Sequence, residues 1–217
     1  MEKTASTRNQ RATKGDTSAS RSQQQRRAET TRKLLEATIE SVLDIGYAAT
    51  TVRSVADRAG VSLGARSHFY PRRIDMVVAA LDHLCDNRIA AARAAVDQVK
   101  GGDQERLRAL LNLMWDSYAD DNFVAGMKLW VAAADDPELH AHLATSTEKL
   151  TTQLMNLYAH ALGEHLIQIP NIAPRIAMVH NLLTGHAFNH NFDPSQQALA
   201  SLNWPQLRAD LEQLILG

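Results

Sequence analysis

The sequence predicts an all-α fold, with a three-helix head and a larger helical body, on three observations. Hydrophobic residues make up 45% of the 217 positions but aromatic residues only 5%, and Ala and Leu recur throughout, which favours helices over sheets. Ten Gly and six Pro are few for a chain built from many tight turns. Apolar residues recur at helical spacing along most of the length, with no hairpin signal and no internal repeat.

Residues 1–25 are Ser, Thr, Gln, Arg and Lys without apolar periodicity, the composition of a disordered arm. Up to Arg27 this start carries Lys3, Arg8, Arg11, Lys14, Arg21, Arg26 and Arg27 against Glu2 and Asp16. Such an arm lies along phosphates or in a minor groove, or is a solvated tail. It also has the Arg- and Ser-rich signature of an organelle transit peptide. Periodicity begins near Arg26, where Leu35, Ile39 and Val42, flanked by Leu34 and Leu43, form the inner stripe of a first helix that stops at Gly46. Thr50 or Thr51 caps a short second helix with Val52, Val55 and Ala56 inside, and Gly60 ends it. Ser62 caps a third helix running to about Phe69, and Pro71 opens a fourth that reaches about Lys100 before Gly101 and Gly102. Further helices are expected over 103–119, 123–134 (ending before Asp135, Asp136 and Pro137), 138–162 (ending at Gly163) and 173–190. The last covers 198–216, most regular from Trp204 and Pro205 onward. The expected organisation is therefore an arm over 1–25, a head over 26–75 and a body over 76–217.

A net charge of −1 hides an asymmetry. Residues 1–78 hold 14 Lys/Arg and 8 Asp/Glu, while the rest of the chain holds 9 and 16, so a basic head sits on an acidic body. That split points the head at a polyanion. The second helix, the Gly60 turn and the third helix form a helix-turn-helix pattern, with small Ala56 at the crossing and Val61 and Tyr70 plugging the core. Leu63, Gly64, Ala65, Ser67 and His68 then face outward, small enough for a helix to sit deep in a major groove. No acid occurs between Asp57 and Asp75, so no carboxylate opposes a phosphate there. Arg53, Arg72, Arg73 and the hydroxyls of Thr50 and Thr51 are the candidate phosphate contacts. Double-stranded DNA is the partner these features imply.

With "GYAATTVRSVADRAGVS", Gly64, Ala65, "HFYPRR" and Met76 in view, residues 30–78 resemble the DNA-binding domain of the TetR (tetracycline-repressor-type) family of bacterial regulators. The resemblance covers about a quarter of the chain. It implies a homodimer that sets two recognition helices into successive major grooves of a palindromic operator, and a body holding an effector pocket. It also implies base reading at Leu63, Gly64, Ala65, Ser67 and His68, and phosphate contacts at Thr51, Phe69 and Arg73. The sequence departs from the family pattern at Arg66, where an aliphatic residue is common, at Ser67, where an aromatic residue often braces a phosphate, and at Arg72, in place of a small polar cap. Arg66 either reads a guanine or lies along the surface with its stem packed.

In the body, Leu81, Leu84, Met114, Trp115, Tyr118, Phe123, Met127, Trp130, Met155 and Tyr158 form a Met- and aromatic-rich set. Singly these are core residues. As a set they suit a pocket for a small apolar or aromatic effector. The segment around 173–190 is apolar on more than one side, and the last segment carries its own stripe. Ile176, Val179, Leu183, Leu207, Leu211 and Leu214 are therefore the candidate dimer interface, or the completion of one subunit's core.

His186 and His190 share a helical face, but no H-E-x-x-H motif or Cys pair accompanies them, so no metal is expected. No catalytic constellation and no Gly-rich phosphate loop stands out, so no enzyme activity and no cofactor are expected. Asp116, Asp120, Asp121, Asp135 and Asp136 read as solvated surface. A single cysteine, Cys85, fits a reducing, cytoplasmic setting, and no apolar run is long enough for a membrane span. The chain is thus expected to be a ligand-responsive DNA-binding regulator, a repressor by preference. A regulator tuned by a partner protein, and more remotely a helical enzyme, are the alternatives.

Overall fold

A computed structural model describes the backbone of residues 6–61, 69–118, 120–192 and 203–217, with side chains from residue 23 onward. Among these residues the secondary structure is helical throughout: α1 (Ser6–Ala49), α2 (Val52–Ala59), α3 (Arg73–Asp97), α4 (Asp103–Tyr118), α5 (Asp121–Ala133), α6 (Pro137–Leu166), α7 (Ile172–Phe192) and α8 (Trp204–Leu216).

The ends follow local chemistry. Gly46 (φ 77) breaks the helical geometry of α1 near its end, and Thr50 then donates its hydroxyl to the Gly46 oxygen at 2.8 Å. Asp120 and Asp136 cap α5 and α6 by accepting from Asn122 and Leu139 main-chain N–H groups at 2.8 and 3.0 Å. The sequence reads both as solvated acids, and the Asp120 cap is why α5 begins earlier than expected. Gly163 (φ 74) kinks α6 instead of ending it. Arg106 of α4 donates to the carbonyl oxygens of His160 and Ala161, which lie just before the kink, at 3.4 and 3.1 Å. The chain also departs from expectation at its start. Residues 6–25, expected as a disordered arm, belong to α1. They contain no Pro, and ten of these twenty residues are Arg, Lys, Gln or Ala, all good helix formers. The stretch 198–202 lies outside the described residues.

Three apolar clusters hold the elements. Leu34 and Ala37 of α1 meet Val55 of α2 and Met76 of α3, with Val61, Phe69 and Tyr70 packed around them. The next stripe of α1, Leu35, Ile39 and Val42, meets Val77 and Leu81 of α3, Leu129 of α5 and Leu139 of α6. Adjacent Leu34 and Leu35 thus face different partners, and α1 is wedged between the head and the body. A third cluster joins Leu107, Leu111 and Met114 of α4 with Leu157 of α6, Val179 and Leu183 of α7, and Leu211 and Ile215 of α8. Each fully buried aliphatic side chain contributes about 1.5–3 kcal/mol of burial free energy. No described helix is long and apolar enough to cross a membrane.

Candidate nucleic-acid interface and body cavity

In the head, Thr51 and Ser54 form a reciprocal cap. Thr51 Oγ1 accepts from the Ser54 N–H and Ser54 Oγ from the Thr51 N–H, both at 3.0 Å. At the other end of α2, Gly60 adopts φ 64, and the N–H groups of Gly60 and Val61 bond back to the Asp57 and Ala56 oxygens at 3.3 and 3.0 Å. This is the paired closure that a left-handed glycine permits. It fixes the direction in which the chain leaves α2. Ser62, Leu63, Gly64, Ala65, Arg66, Ser67 and His68 lie outside the described residues.

The remaining head candidates divide into exposed and internally engaged groups. Thr51 and Arg53 are exposed at the start of α2. Thr50, by contrast, is fully buried, and its hydroxyl is spent on the end of α1. Phe69 is half-buried against the Leu34, Val55 and Met76 cluster, with the Arg27 guanidinium 5.6 Å from its ring centroid. Arg72 donates to Asp75 at 2.9 Å and to Glu138 of α6 at 2.7 Å, and both carboxylates raise its pKa. Arg73 lies over the Tyr47 ring at 4.2 Å and donates to the Ala48 oxygen at 3.1 Å. The expectation that Thr50 offers its hydroxyl to a phosphate is therefore corrected, because the end of α1 holds it in the interior, whereas Arg72 stays 54% exposed while paired with two nearby acids.

The body contains a cavity of about 550 Å³ bounded by α3 to α7, open on one side. Of the sequence-derived set, Leu81, Leu84, Met114, Tyr118, Phe123, Met127, Trp130 and Tyr158 line it. Trp115 does not. It points to the other side of α4, stacked on Trp204 at 4.5 Å and on His186 at 5.6 Å. Met155 does not either, being 40% exposed on the outer face of α6. Arg88, Cys85, His180 and Thr184 also line the cavity and were missed, because nothing in one sequence sets the register between helices far apart in the chain. Arg88 donates to the Ser117 oxygen at 2.8 Å and lies 3.9 Å from Asp120. Burial pushes the Cys85 thiol up to about 11, so it is a neutral lining group. Tyr118 and Tyr158 both approach His180 Nδ1, at 2.7 and 3.3 Å, and burial lowers the histidine's pKa.

The predicted dimer residues are also redistributed. Ile176, Val179, Leu183 and Leu211 are buried in the chain's own core, and Leu207 packs against it. Leu214 is exposed, as are Met178, Leu182 and Phe188 of α7 and Leu216 of α8. The sequence pattern showed apolar residues on several sides of α7 but not which side the subunit itself covers. His186 and His190 rings stack 6.3 Å apart, and no three metal-ligating groups converge among the described residues.

No protein-family model matches the chain. The HTH-type transcriptional regulator CymR of Pseudomonas putida is 30% identical over 129 residues, 59% of this chain, and the match spans 63% of CymR. In fold, FadR from Bacillus subtilis, solved in complex with stearoyl-CoA, matches with a TM-score of 0.63 at 14% identity, over 86% of this chain and 97% of FadR. A TetR family transcription regulator from Marinobacter aquaeolei VT8 matches with a TM-score of 0.51 at 19% identity, over 87% and 97% of the two chains. With an HTH-type transcriptional regulator similar in sequence and a TetR family regulator similar in fold, the chain resembles TetR-type regulators, and its capped α2 ending at the Gly60 turn fits that likeness.

Proposed function

We propose that the chain is a homodimeric, cytoplasmic transcriptional regulator, a repressor that a small apolar or aromatic effector releases from a palindromic operator. Residues 26–75 serve as the DNA-binding head and residues 76–217 as the effector-binding and dimerising body. In this role the chain binds and carries out no catalytic step.

One observation carries the reading. α3 is a single uninterrupted helix whose first turn puts Met76 into the head core and whose later turns give Leu81, Leu84, Arg88 and Ile89 to the cavity wall. A ligand that displaces that wall acts on a rigid element continuous with the head. Two heads read half-sites one helical turn apart at a separation of about 34–36 Å, so a small tilt of α3 changes the match. A hundredfold loss of DNA affinity needs a coupling of about 2.7 kcal/mol. FadR, solved with stearoyl-CoA, is a precedent for a ligand carrying a long acyl chain in this fold. For the dimer, the outward Met178, Leu182, Phe188, Leu214 and Leu216 are the faces available to a second copy.

The test is selection of bound duplexes from a random DNA pool with the purified chain, followed by titration of the winner with a ligand library. Recovery of a palindrome, bound by two copies and released by an apolar ligand, is the expected result. Indifference to every duplex at low salt would remove the proposal.

A further inference from the structure

The cavity has a polar end, and the chemistry there narrows what can fill it. Tyr118 from α4, Tyr158 from α6, and His180 and Thr184 from successive turns of α7 meet at this end. Tyr118 Oη lies 2.7 Å from His180 Nδ1, the shorter of the two phenol contacts to that nitrogen. With Tyr118 donating to Nδ1, the neutral ring carries its proton on Nε2. Burial favours this neutral form by pushing the histidine's pKa below its usual value. The hydrogen bonds of the ring all run through Nδ1, so Nε2–H meets no acceptor among the described residues.

Thr184 supplies the second donor. Thr30, Thr38, Thr145 and Thr152 each give their hydroxyl to the carbonyl four residues back, the ordinary outlet for a helical threonine. Thr184 does not. Its buried Oγ1 sits near the Tyr118 phenol, outside hydrogen-bond geometry, without a partner among the described residues. A buried hydroxyl in that state costs about 1–3 kcal/mol until something bonds to it.

The charged lining groups are occupied or peripheral. Arg88 is engaged by the Ser117 oxygen and faces Asp120, and Asp116 is exposed at the rim. Neither a carboxylate nor a fixed cation belongs to the four-residue polar end. An amine there would find donors and no anion. A carboxylate would be a desolvated charge whose lining cation, Arg88, is already engaged by the Ser117 oxygen and Asp120, which is costly. A pure hydrocarbon would leave Thr184 unmet. A carbonyl oxygen has two lone pairs for the two waiting donors.

Resting on the reading of this cavity as the effector site, we propose that it takes an uncharged, mainly apolar molecule carrying one carbonyl oxygen, held by His180 and Thr184.

The experiment is calorimetric titration of the full chain with four probes of similar size: hexanophenone, hexylbenzene, phenylhexanoate and phenylhexylamine. Hexanophenone is expected to bind about tenfold tighter than hexylbenzene, as two modest hydrogen bonds allow. Thr184→Val, close in shape, should remove about three- to tenfold of that ketone-over-hydrocarbon preference. Thr184→Ser should restore the preference. Equal binding of ketone and hydrocarbon, or tightest binding of phenylhexanoate or phenylhexylamine, overturns the carbonyl assignment. No saturable binding of any probe overturns the assignment and the cavity reading together. Selective ketone binding that leaves operator affinity unchanged supports the carbonyl site and overturns only the effector role.

Discussion

Lys128 of α5 donates its ammonium to the main-chain oxygen of Leu43, on α1. Leu43 lies just before Gly46, where α1 leaves helical geometry. On α5 the neighbours of Lys128 face two ways: Met127 and Trp130 line the cavity, while Leu129 packs with Leu35 and Ile39 of α1. One short helix therefore touches both the ligand space and the element that carries the head. Lys128→Met keeps the aliphatic stem but removes the charge-assisted bond. It should cost about 1–2 kcal/mol in urea unfolding. It should also weaken ligand-driven DNA release more than it weakens ligand binding. Equal losses in the two would remove α5 from the coupling.

Gly60→Ala isolates a backbone effect. A Cβ at Gly60 meets nothing within 4 Å, so no clash contributes. The left-handed φ of 64 alone should cost about 1–2 kcal/mol. The midpoint of thermal unfolding should fall accordingly. A variant as stable as the parent would mean that the turn opens readily to another geometry.

How much of this could be read from the sequence depends on how local each signal is. Thr51 and Gly60 punctuate α2 through contacts within a few residues, so they are legible in a single chain. Asp120 and Asp136 obey the same capping rule, but they sit in acidic runs that look equally like solvated surface. The sides of α7 are not legible. Val179 and Leu183 are buried in the subunit while Met178 and Leu182, one position away, are exposed. An all-round apolar helix does not declare which side its own core covers. Trp115 and Met155 miss the cavity for the same reason, by a rotation of about 100° for each residue step along a helix. His180 and Thr184 carry no local mark at all. Their place depends on the register of α7 against α4 and α6.

Exposed Arg53 and engaged Arg72 should separate in DNA binding. Arg53→Ala should weaken binding to all duplexes and reduce the slope of log affinity against log salt by about one unit. Arg72→Ala should leave the slope near its parent value, because its guanidinium is already committed to Asp75 and Glu138. Fluorescence anisotropy across a salt series distinguishes the two. Equal slope losses would place Arg72 at the phosphates after all.

Leu182 and Leu183 are neighbours with opposite expectations. Leu183 is 1% exposed, so Leu183→Ala should destabilise the fold by about 2–5 kcal/mol. Leu182 is 45% exposed. Leu182→Glu should leave the subunit helical by circular dichroism but shift sedimentation from dimer to monomer. A Leu182→Glu chain that stays dimeric would move the interface away from this side of α7.

His180 gives stability a pH dependence whose sign follows from its surroundings. Burial lowers its folded pKa below the usual value near 6.5, and His186 is lowered too, by burial and by nearby His190. Below the ordinary pKa the unfolded chain takes up protons that the folded chain resists, so unfolding gains ground as pH falls. The contribution is complete above about pH 7, declines as pH drops through the ordinary histidine range, and levels off below the lowered folded pKa. His180→Phe should flatten this part of the profile and leave the His186 share. Denaturant midpoints between pH 8 and pH 5 measure it. A steeper fall in the variant than in the parent would mean that His180 is protonated in the folded chain, and Nδ1 could then no longer accept from Tyr118.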